Sequence, residues 1–224
     1  MKAPERTYSM PHTSAPYRVQ HRFHPSTRSW LKRSIDLIGS LIGLLVLAII
    51  FIPLVIVIRL DSRGPIFYSQ ERYGLHGRIF HIRKFRSMVT NADEIKHLVP
   101  NEANGLIFKN RQDPRITRVG RFLRKTSLDE FPQFWNVLVG EMSLVGTRPP
   151  TRDEVRRYAP HHWNRLDVKP GITGEWQVHG RSAVLDFEQV VELDLRYQER
   201  WTVLYDLRLI LQTLSVVISG HGAY

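Results

Sequence analysis

The sequence predicts a helix-dominated, mixed α/β protein seated in a membrane from one side, and three observations carry that prediction. Residues 37–58, LIGSLIGLLVLAIIFIPLVIVI, hold no charge over 22 positions. At about 1.5 Å per residue this is enough helix for a hydrocarbon core of about 30 Å. Two short runs of β-forming residues, IFYSQERY and RIFHIRKF, flank Gly74 and Gly77 and read as a loose hairpin. Farther on, apolar residues recur at helical spacing in 116–123 and 131–138, and again through the last 35 residues.

The 224 residues divide into a disordered basic tail (1–28), a membrane helix (29–62) and one globular domain (63–224). Cysteine is absent, which excludes disulfides, thiol nucleophiles and Cys-ligated zinc. The formal charge is +11, and residues 1–33, with seven basic side chains against Glu5 alone, supply +6 of it. An anionic partner is expected. Nucleic acid is not, because a nucleic-acid module carries its charge on the folded surface rather than in a tail. The tail is rich in Pro, Ser, Thr, His and Arg without a period. It is either simply solvated or drawn weakly to anionic lipids, at about 1 kcal/mol per basic residue near the surface.

The apolar run is too long for a signal peptide, and no small-residue cleavage site follows it. Pro53 removes one backbone hydrogen bond and clashes with the carbonyl of Ile49, so a bend is expected there. Arg28, Lys32 and Arg33 precede the run, and Arg59 and Arg63 follow it. The positive-inside rule is met best when both ends face the cytosol, which favours a re-entrant helix over a span.

Along the second hairpin strand Phe80, Ile82, Lys84 and Arg86 share a face, so two apolar residues lead to two cations, which by themselves read as solvated strand-end charges. Residues 93–110 are polar and broken by Pro100 and Gly105, and carry no functional reading. In 115–125 an apolar stripe (Ile116, Val119, Phe122, Leu123) accompanies Arg115, Arg118, Arg121 and Arg124. An arginine row is commonly a solvated face. Here it leads into Asp129 and Glu130, and phosphoryl transfer needs cations with the planar fork of arginine. Arg124 is the preferred phosphate ligand, and Arg118 and Arg121 are placed toward lipid headgroups.

After the two acids, Phe131, Phe134, Trp135 and Leu138 form the buried face expected of a short helix. Pro132 suits a first turn, so this helix is predicted to begin near Asp129, with both carboxylates at the positive end of its dipole. A capping box, Ser127-x-x-Glu130, is the bland alternative. Beyond the helix, Gly146-Thr147-Arg148-Pro149-Pro150 forms a rigid turn able to hold Arg148 for a phosphate. His161 and His162 read as surface residues, since sequence neighbours do not converge on one ion. In 169–182 the glycines allow close backbone approach to a ligand, and Trp176 and Arg181 are candidates to meet a nucleobase or diphosphate. The final helical stretch places Leu193, Tyr197, Trp201 and Leu204 on one face, either a core helix or an amphipathic interfacial one. Asp194 is a further acidic candidate near a metal.

The run SLDEFPQFWNVLVGEMSLVG-x-RP closely resembles the signature of the bacterial sugar transferases, monotopic polyprenyl-phosphate phosphoglycosyl transferases of the kind that initiate exopolysaccharides. KFRSM (84–88), DPRITRVGRFLRK (113–125), KPGITGEWQVHGRS (169–182) and ELDLRY (192–197) extend the likeness from about residue 32 to the end. The resemblance implies a UDP-sugar donor, a polyprenyl (undecaprenyl) phosphate acceptor, and Mg²⁺ as cofactor. It further implies a catalytic domain facing the cytosol at the bacterial inner membrane. Asp129 resembles a nucleophile that takes the phosphosugar covalently, and Glu130 a metal or proton-handling residue. Lys84 and Arg148 resemble active-site cations, and Arg181 a uridine-nucleotide ligand. Three positions depart from the family pattern: Ile52 stands where Ser usually precedes Pro53, Thr147 where Pro is usual, and Glu175 where an apolar residue is usual. A homo-oligomer is compatible with the sequence. The reading from a different class is a membrane-tethered adaptor, with Asp129 and Glu130 acting only as caps.

Overall fold

The computed structural model describes residues 23–179 and 184–219; the tail reading therefore lies outside it for residues 1–22, and so does Arg181. The described chain begins within the fold. Pro25–Thr27 form a 3₁₀ turn, and His24 joins its Nε2 to the carbonyl of Gln198 at 2.9 Å, so residue 24, expected in the tail, meets the globular body.

Helix α1 (Trp30–Asp61) runs 32 residues between Ser29, whose hydroxyl accepts from the Lys32 N–H, and Ser62; Pro53 lies inside it. Among the described residues it is the one helix long and apolar enough to cross a membrane. Only 17 % of its most apolar window is buried, which separates it from the core helix of a soluble protein. Strands β1 (Phe67–Tyr73) and β2 (Ile79–Phe85) pair antiparallel, Phe67 opposite Phe85 and Tyr73 opposite Ile79, as the hairpin pattern predicted. Helix α2 (Arg118–Lys125) is capped by Thr117, and α3 (Gln133–Val139) ends at Gly140, whose φ of 87° is the left-handed conformation a helix C-terminus commonly takes.

Strand β3 (Ser143–Val145) then pairs in parallel with β4 (Gly171–Thr173), across the short helix α4 (Arg152–Val155) and a 3₁₀ stretch, Pro160–Asp167. Two of the glycines expected to approach a ligand, Gly171 and Gly174, approach this sheet instead. A Cβ on Gly171 would lie 2.1 Å from the Gly146 nitrogen, and one on Gly174 2.1 Å from the Gly146 oxygen. Helices α5 (Glu175–Val178), α6 (Phe187–Arg200) and α7 (Val203–Ser219) complete the described chain. The helical stretch breaks at Trp201 and Thr202, so Tyr197 is buried while Leu204, expected on the same face, is 75 % exposed.

Helix α1 is fastened to the globular body along its length. Near its start the buried Lys32 ammonium meets Asp206 at 2.5 Å, and Asp36 accepts from the Ser143 hydroxyl at 2.8 Å and the Leu144 N–H at 2.9 Å. Its later turns bury Leu54 and Ile58 with Phe85 of β2 and Leu123 of α2. At its end Arg86 donates to the carbonyls of Ser62 and Arg63, both at 2.6 Å.

Candidate active site

Asp129 and Glu130 occupy a 3₁₀ turn, Leu128–Glu130, between α2 and α3, with Ser127 before it at φ 56°, a conformation that non-glycine residues seldom adopt. Two expectations change. Helix α3 starts at Gln133, with Pro132 in the cap position, so the acids precede the helix instead of forming its first turn. Ser127 makes no side-chain cap bond, so the capping box is not formed. The face of α3 also differs from the prediction: Gln133, Asn136 and Val137 are buried, whereas Trp135 is 45 % exposed. On its polar face Asn136 is satisfied inside, donating to the His81 carbonyl at 2.9 Å and accepting from the Arg83 N–H at 3.2 Å, whereas Gln133 Nε2 is buried with no hydrogen-bond partner among the described residues. Its apolar stripe turns toward α1, where a Cβ on Gly43 would lie 2.4 Å from the Phe134 ring.

The turn opens into a cleft of about 270 Å³ that gathers side chains distant in sequence: Lys84, Arg124, Asp129, Glu130, Arg148 and Trp176 all line it. Lys84, leaving β2 on the side of buried Phe80 and Ile82, donates to Glu130 Oε1 at 2.8 Å. Arg124 points back from the last turn of α2, its Nε donating to Ser87 Oγ at 3.1 Å. That approach needs Gly120, where a Cβ would fall 1.9 Å from the Ser87 carbonyl oxygen. Asp129 is 4 % exposed. Two other cations of these motifs go elsewhere: Arg86, the second cation of KFRSM, caps α1, and Arg115, expected on the exposed row, is buried against Asp113 at 2.7 Å.

Arg148 enters the cleft from the turn after β3 and is held in two ways. Both terminal nitrogens donate to Glu154, at 2.8 and 3.0 Å, and the guanidinium sits 5.6 Å from the centre of the Trp176 ring. Burial opposes the Glu154 charge, but Arg148 more than offsets it and leaves the carboxyl below its ordinary value of 4.5. Arg72 lies behind this pair, donating to the Pro149 carbonyl at 2.9 Å; burial and then Arg148 lower its pKa to about 10. Asp194 is not brought to the cleft. It is buried against Arg165, at 2.8 and 2.6 Å, and accepts from the Arg148 backbone N–H at 3.4 Å, which makes it a support for the Arg148 turn and removes it from the metal set.

Mg²⁺ takes hard oxygen donors and keeps several waters. The adjacent carboxylates of Asp129 and Glu130, both lining one solvent-reached cleft, fit that requirement, with Glu130 shared with Lys84.

Sequence reasoning missed one wall of the cleft. Ile107, Phe108, Lys109 and Arg111 line it, from a stretch that shows no period, and Lys109 lies 5.1 Å from the Trp176 ring centre. It also missed Glu154, whose only local signal is the N-cap Thr151 that starts α4. Glu175, at the position of departure, is buried and accepts from the Tyr205 hydroxyl, with His179 at 2.7 Å. His162 is buried, not a surface residue, and with His161 meets Glu188; their ligating atoms lie within 4.8 Å of one another. Because His162 Nδ1 accepts from the Ala159 N–H at 2.9 Å, its proton belongs on Nε2, facing Glu188 at 2.8 Å, and the trio is a hydrogen-bonded cluster.

The chain is similar over most of its length to known proteins. The chain is 50 % identical over 204 residues to the "Galactosyl transferase CpsE" of Streptococcus agalactiae serotype III, covering 90 % of this chain and 45 % of that protein. It is 42 % identical over 213 residues to the "Undecaprenyl-phosphate galactose phosphotransferase" of Salmonella typhimurium, covering 92 % and 44 %. The chain thus spans less than half the length of these two relatives. The "Exopolysaccharide production protein ExoY" of Rhizobium meliloti is 35 % identical over 199 residues and is covered over 88 % of its length. The family described as "Bacterial sugar transferase" matches residues 27–220, and the chain belongs to that family.

Proposed function

We propose that this protein transfers a sugar 1-phosphate from a UDP-sugar to undecaprenyl phosphate through a covalent intermediate on Asp129. The observation that carries this reading is the convergence of Asp129 and Glu130 with Lys84, Arg124 and Arg148 in one cleft. An Asp129 carboxylate oxygen attacks the β-phosphorus, the one bearing the sugar. The bond from that phosphorus to the bridging oxygen breaks, and UMP leaves with the bridging oxygen. An oxygen of the lipid phosphate then attacks the same phosphorus, the acyl phosphate bond breaks, and Asp129 is regenerated as a carboxylate. Lys84, Arg124 and Arg148 offset charge on the phosphate oxygens, and Lys84 also orients Glu130. Mg²⁺ bound by Asp129 and Glu130 supplies further neutralisation of the diphosphate. Trp176 lies beside Arg148 to receive the nucleotide end, and the uridine-nucleotide role that the resemblance gives Arg181 belongs to the same proposal.

The acceptor is a lipid, and the fold supports a seat in one leaflet of the bacterial inner membrane with the cleft facing the cytosol. Both ends of α1 are tied to the same body, by Asp206 at one end and Arg86 at the other, which favours a re-entrant helix over a span. On α7, Leu204, Leu207, Leu211 and Leu214 form an exposed stripe at helical spacing, suited to lying in the interface.

UDP-galactose is the first donor to try, because the two most identical relatives above are named for galactose. Purified full-length protein supplied with undecaprenyl phosphate, Mg²⁺ and UDP-galactose or UDP-glucose is expected to release UMP. Without acceptor, a phosphohexose is expected on the peptide containing Asp129. Release of UDP would indicate a direct glycosyl transfer, and full turnover by Asp129→Asn would rule out the covalent route.

A further inference from the structure

We infer that the pocket at the start of α1 is a second anion site, built for the phosphate group of a membrane phospholipid. This cavity of about 200 Å³ shares none of its lining residues with the catalytic cleft. Arg28, Lys32, Arg33 and Lys169 reach its wall against Asp36 alone. Most of these charges have other partners. Lys32 is paired with Asp206, Arg33 donates to the carbonyls of Val137 and Leu138 at 2.8 and 2.7 Å, and Asp36 is engaged by Ser143 and Leu144.

Two are exceptions: Arg28, exposed and lying over the Phe23 ring, and Lys169, half-buried, have neither a hydrogen bond nor an ion pair from their charged groups among the described residues. Lys169 lies beside Arg33. Their terminal nitrogens are 3.5 and 3.7 Å from one point, the place a Cβ on Gly140 would take. Burial, and then the charge of Arg33, hold the Lys169 ammonium below its ordinary pKa. Two cations side by side at the edge of a cavity, one of them without an ion pair and opposed only by the more distant charge of Asp36, are what a bound anion relieves.

Position points to a lipid as the source of that anion. The pocket lies at the level of Trp30, which is 73 % exposed and lines it; after Trp30 and its exposed neighbour Leu31, the long exposed apolar face of α1 starts at Ile38. That is five residues past Arg33, about 7.5 Å along the axis. With residues 37–58 in hydrocarbon, the pocket sits at headgroup depth, where an exposed Trp is also at home. The acyl chains of the lipid then run down the exposed side of α1. The inference depends on where α1 sits and not on the reaction in the cleft.

The test uses purified full-length protein in detergent and three soluble probes: dihexanoylphosphatidylglycerol, dihexanoylglycerol and inorganic phosphate, with retained probe read by native mass spectrometry. The phospholipid is expected to bind the native protein and Lys169→Arg alike and to bind Lys169→Gln about tenfold more weakly, the effect of losing one charge-assisted contact. Arg28→Gln, at an exposed side chain, is expected to weaken the same probe about threefold and reads the site without disturbing buried packing. Inorganic phosphate bound as tightly as the phospholipid, with the same dependence on Lys169, would assign the pocket to free phosphate and overturn the lipid source. Equal retention of the phosphate-free lipid, or equal binding by native, Lys169→Gln and Arg28→Gln proteins, would overturn the site itself.

Discussion

Glu154 shows how a residue outside the cleft sets the chemistry within it. It holds both terminal nitrogens of Arg148 and is itself buried, so replacing it with an uncharged amide leaves Arg148 facing Arg72 without a counter-charge. Glu154→Gln is therefore expected to cost roughly 3 kcal/mol, the lower end for breaking a buried pair, because Arg148 still reaches the cleft. The sign with pH follows from the depressed carboxyl. Its stabilisation is complete above the ordinary value of 4.5 and is lost as pH falls through the lower folded value, so the Tm gap between native and Glu154→Gln proteins should close in acid. A gap that persists unchanged to pH 3 would show that the charge is not the cause. Lys84 is the contrasting case, a side chain with its tip in the cleft and its stem on a strand. Lys84→Met should leave Tm near native, since its 2.8 Å pair with Glu130 is partly solvated, and should lower kcat about 100-fold through lost phosphate stabilisation. A loss confined to Tm would make Lys84 structural.

At the scale of elements, the site depends on how closely α2 approaches the end of β2, and Gly120 permits that approach. Alanine there has two opposed effects. It gains up to about 1 kcal/mol of helix propensity, but its Cβ would lie 1.9 Å from a backbone oxygen of Ser87, which cannot rotate away. Overpacking of that kind costs about 1–3 kcal/mol and prevails. Gly120→Ala is expected to lower Tm and, by moving Arg124 off Ser87, to lower kcat/KM as well; a higher Tm would mean that the propensity term wins.

The same elements show what the sequence makes legible. The α1 limits, the hairpin and α2 follow from local signals, an uncharged run, alternation and helical spacing, and those signals lie on contiguous residues. Lys84, Arg124, Asp129, Glu130 and Arg148 stand out in the sequence as cations or acids within motifs, and the structure brings them to one cleft. The α3 face differs from the prediction for a physical reason: Phe131, Phe134, Trp135 and Leu138 have helical spacing, but the surroundings they meet include α1 and the exposed side of the molecule, while Gln133 and Asn136 are buried and the body satisfies the Asn136 amide. Residues 107–111 reach the cleft only through tertiary contact, which leaves no period to read. Asp194 looked like a ligand because it is an acid near motifs; its partner Arg165 lies 29 positions away and could not be paired with it from spacing.

For the whole molecule, the decisive quantity is the geometry of α1 against a bilayer. A straight 32-residue helix is about 48 Å long, and a span would carry its far end about 30 Å from the near one across the hydrocarbon. Yet Lys32, Asp36 and Gly39 meet Asp206, Ser143 and Leu144, while Ile58, Asp61 and Ser62 meet Phe85, the Val119 N–H and Arg86 of the same body. A span would have to pull one of these sets away from the body or drag that body, with its buried ion pairs, through the membrane. Burying a charged group there costs several kcal/mol even when partnered. Both ends should therefore lie on the cytosolic side. The absence of cysteine makes the check direct: single cysteines at Tyr8 and Gln70, probed in sealed inside-out and right-side-out vesicles with an impermeant maleimide, are expected to label from the same, cytosolic, face. Labelling from opposite faces would mean that α1 crosses, and the contacts at one of its ends would have to be absent in the membrane.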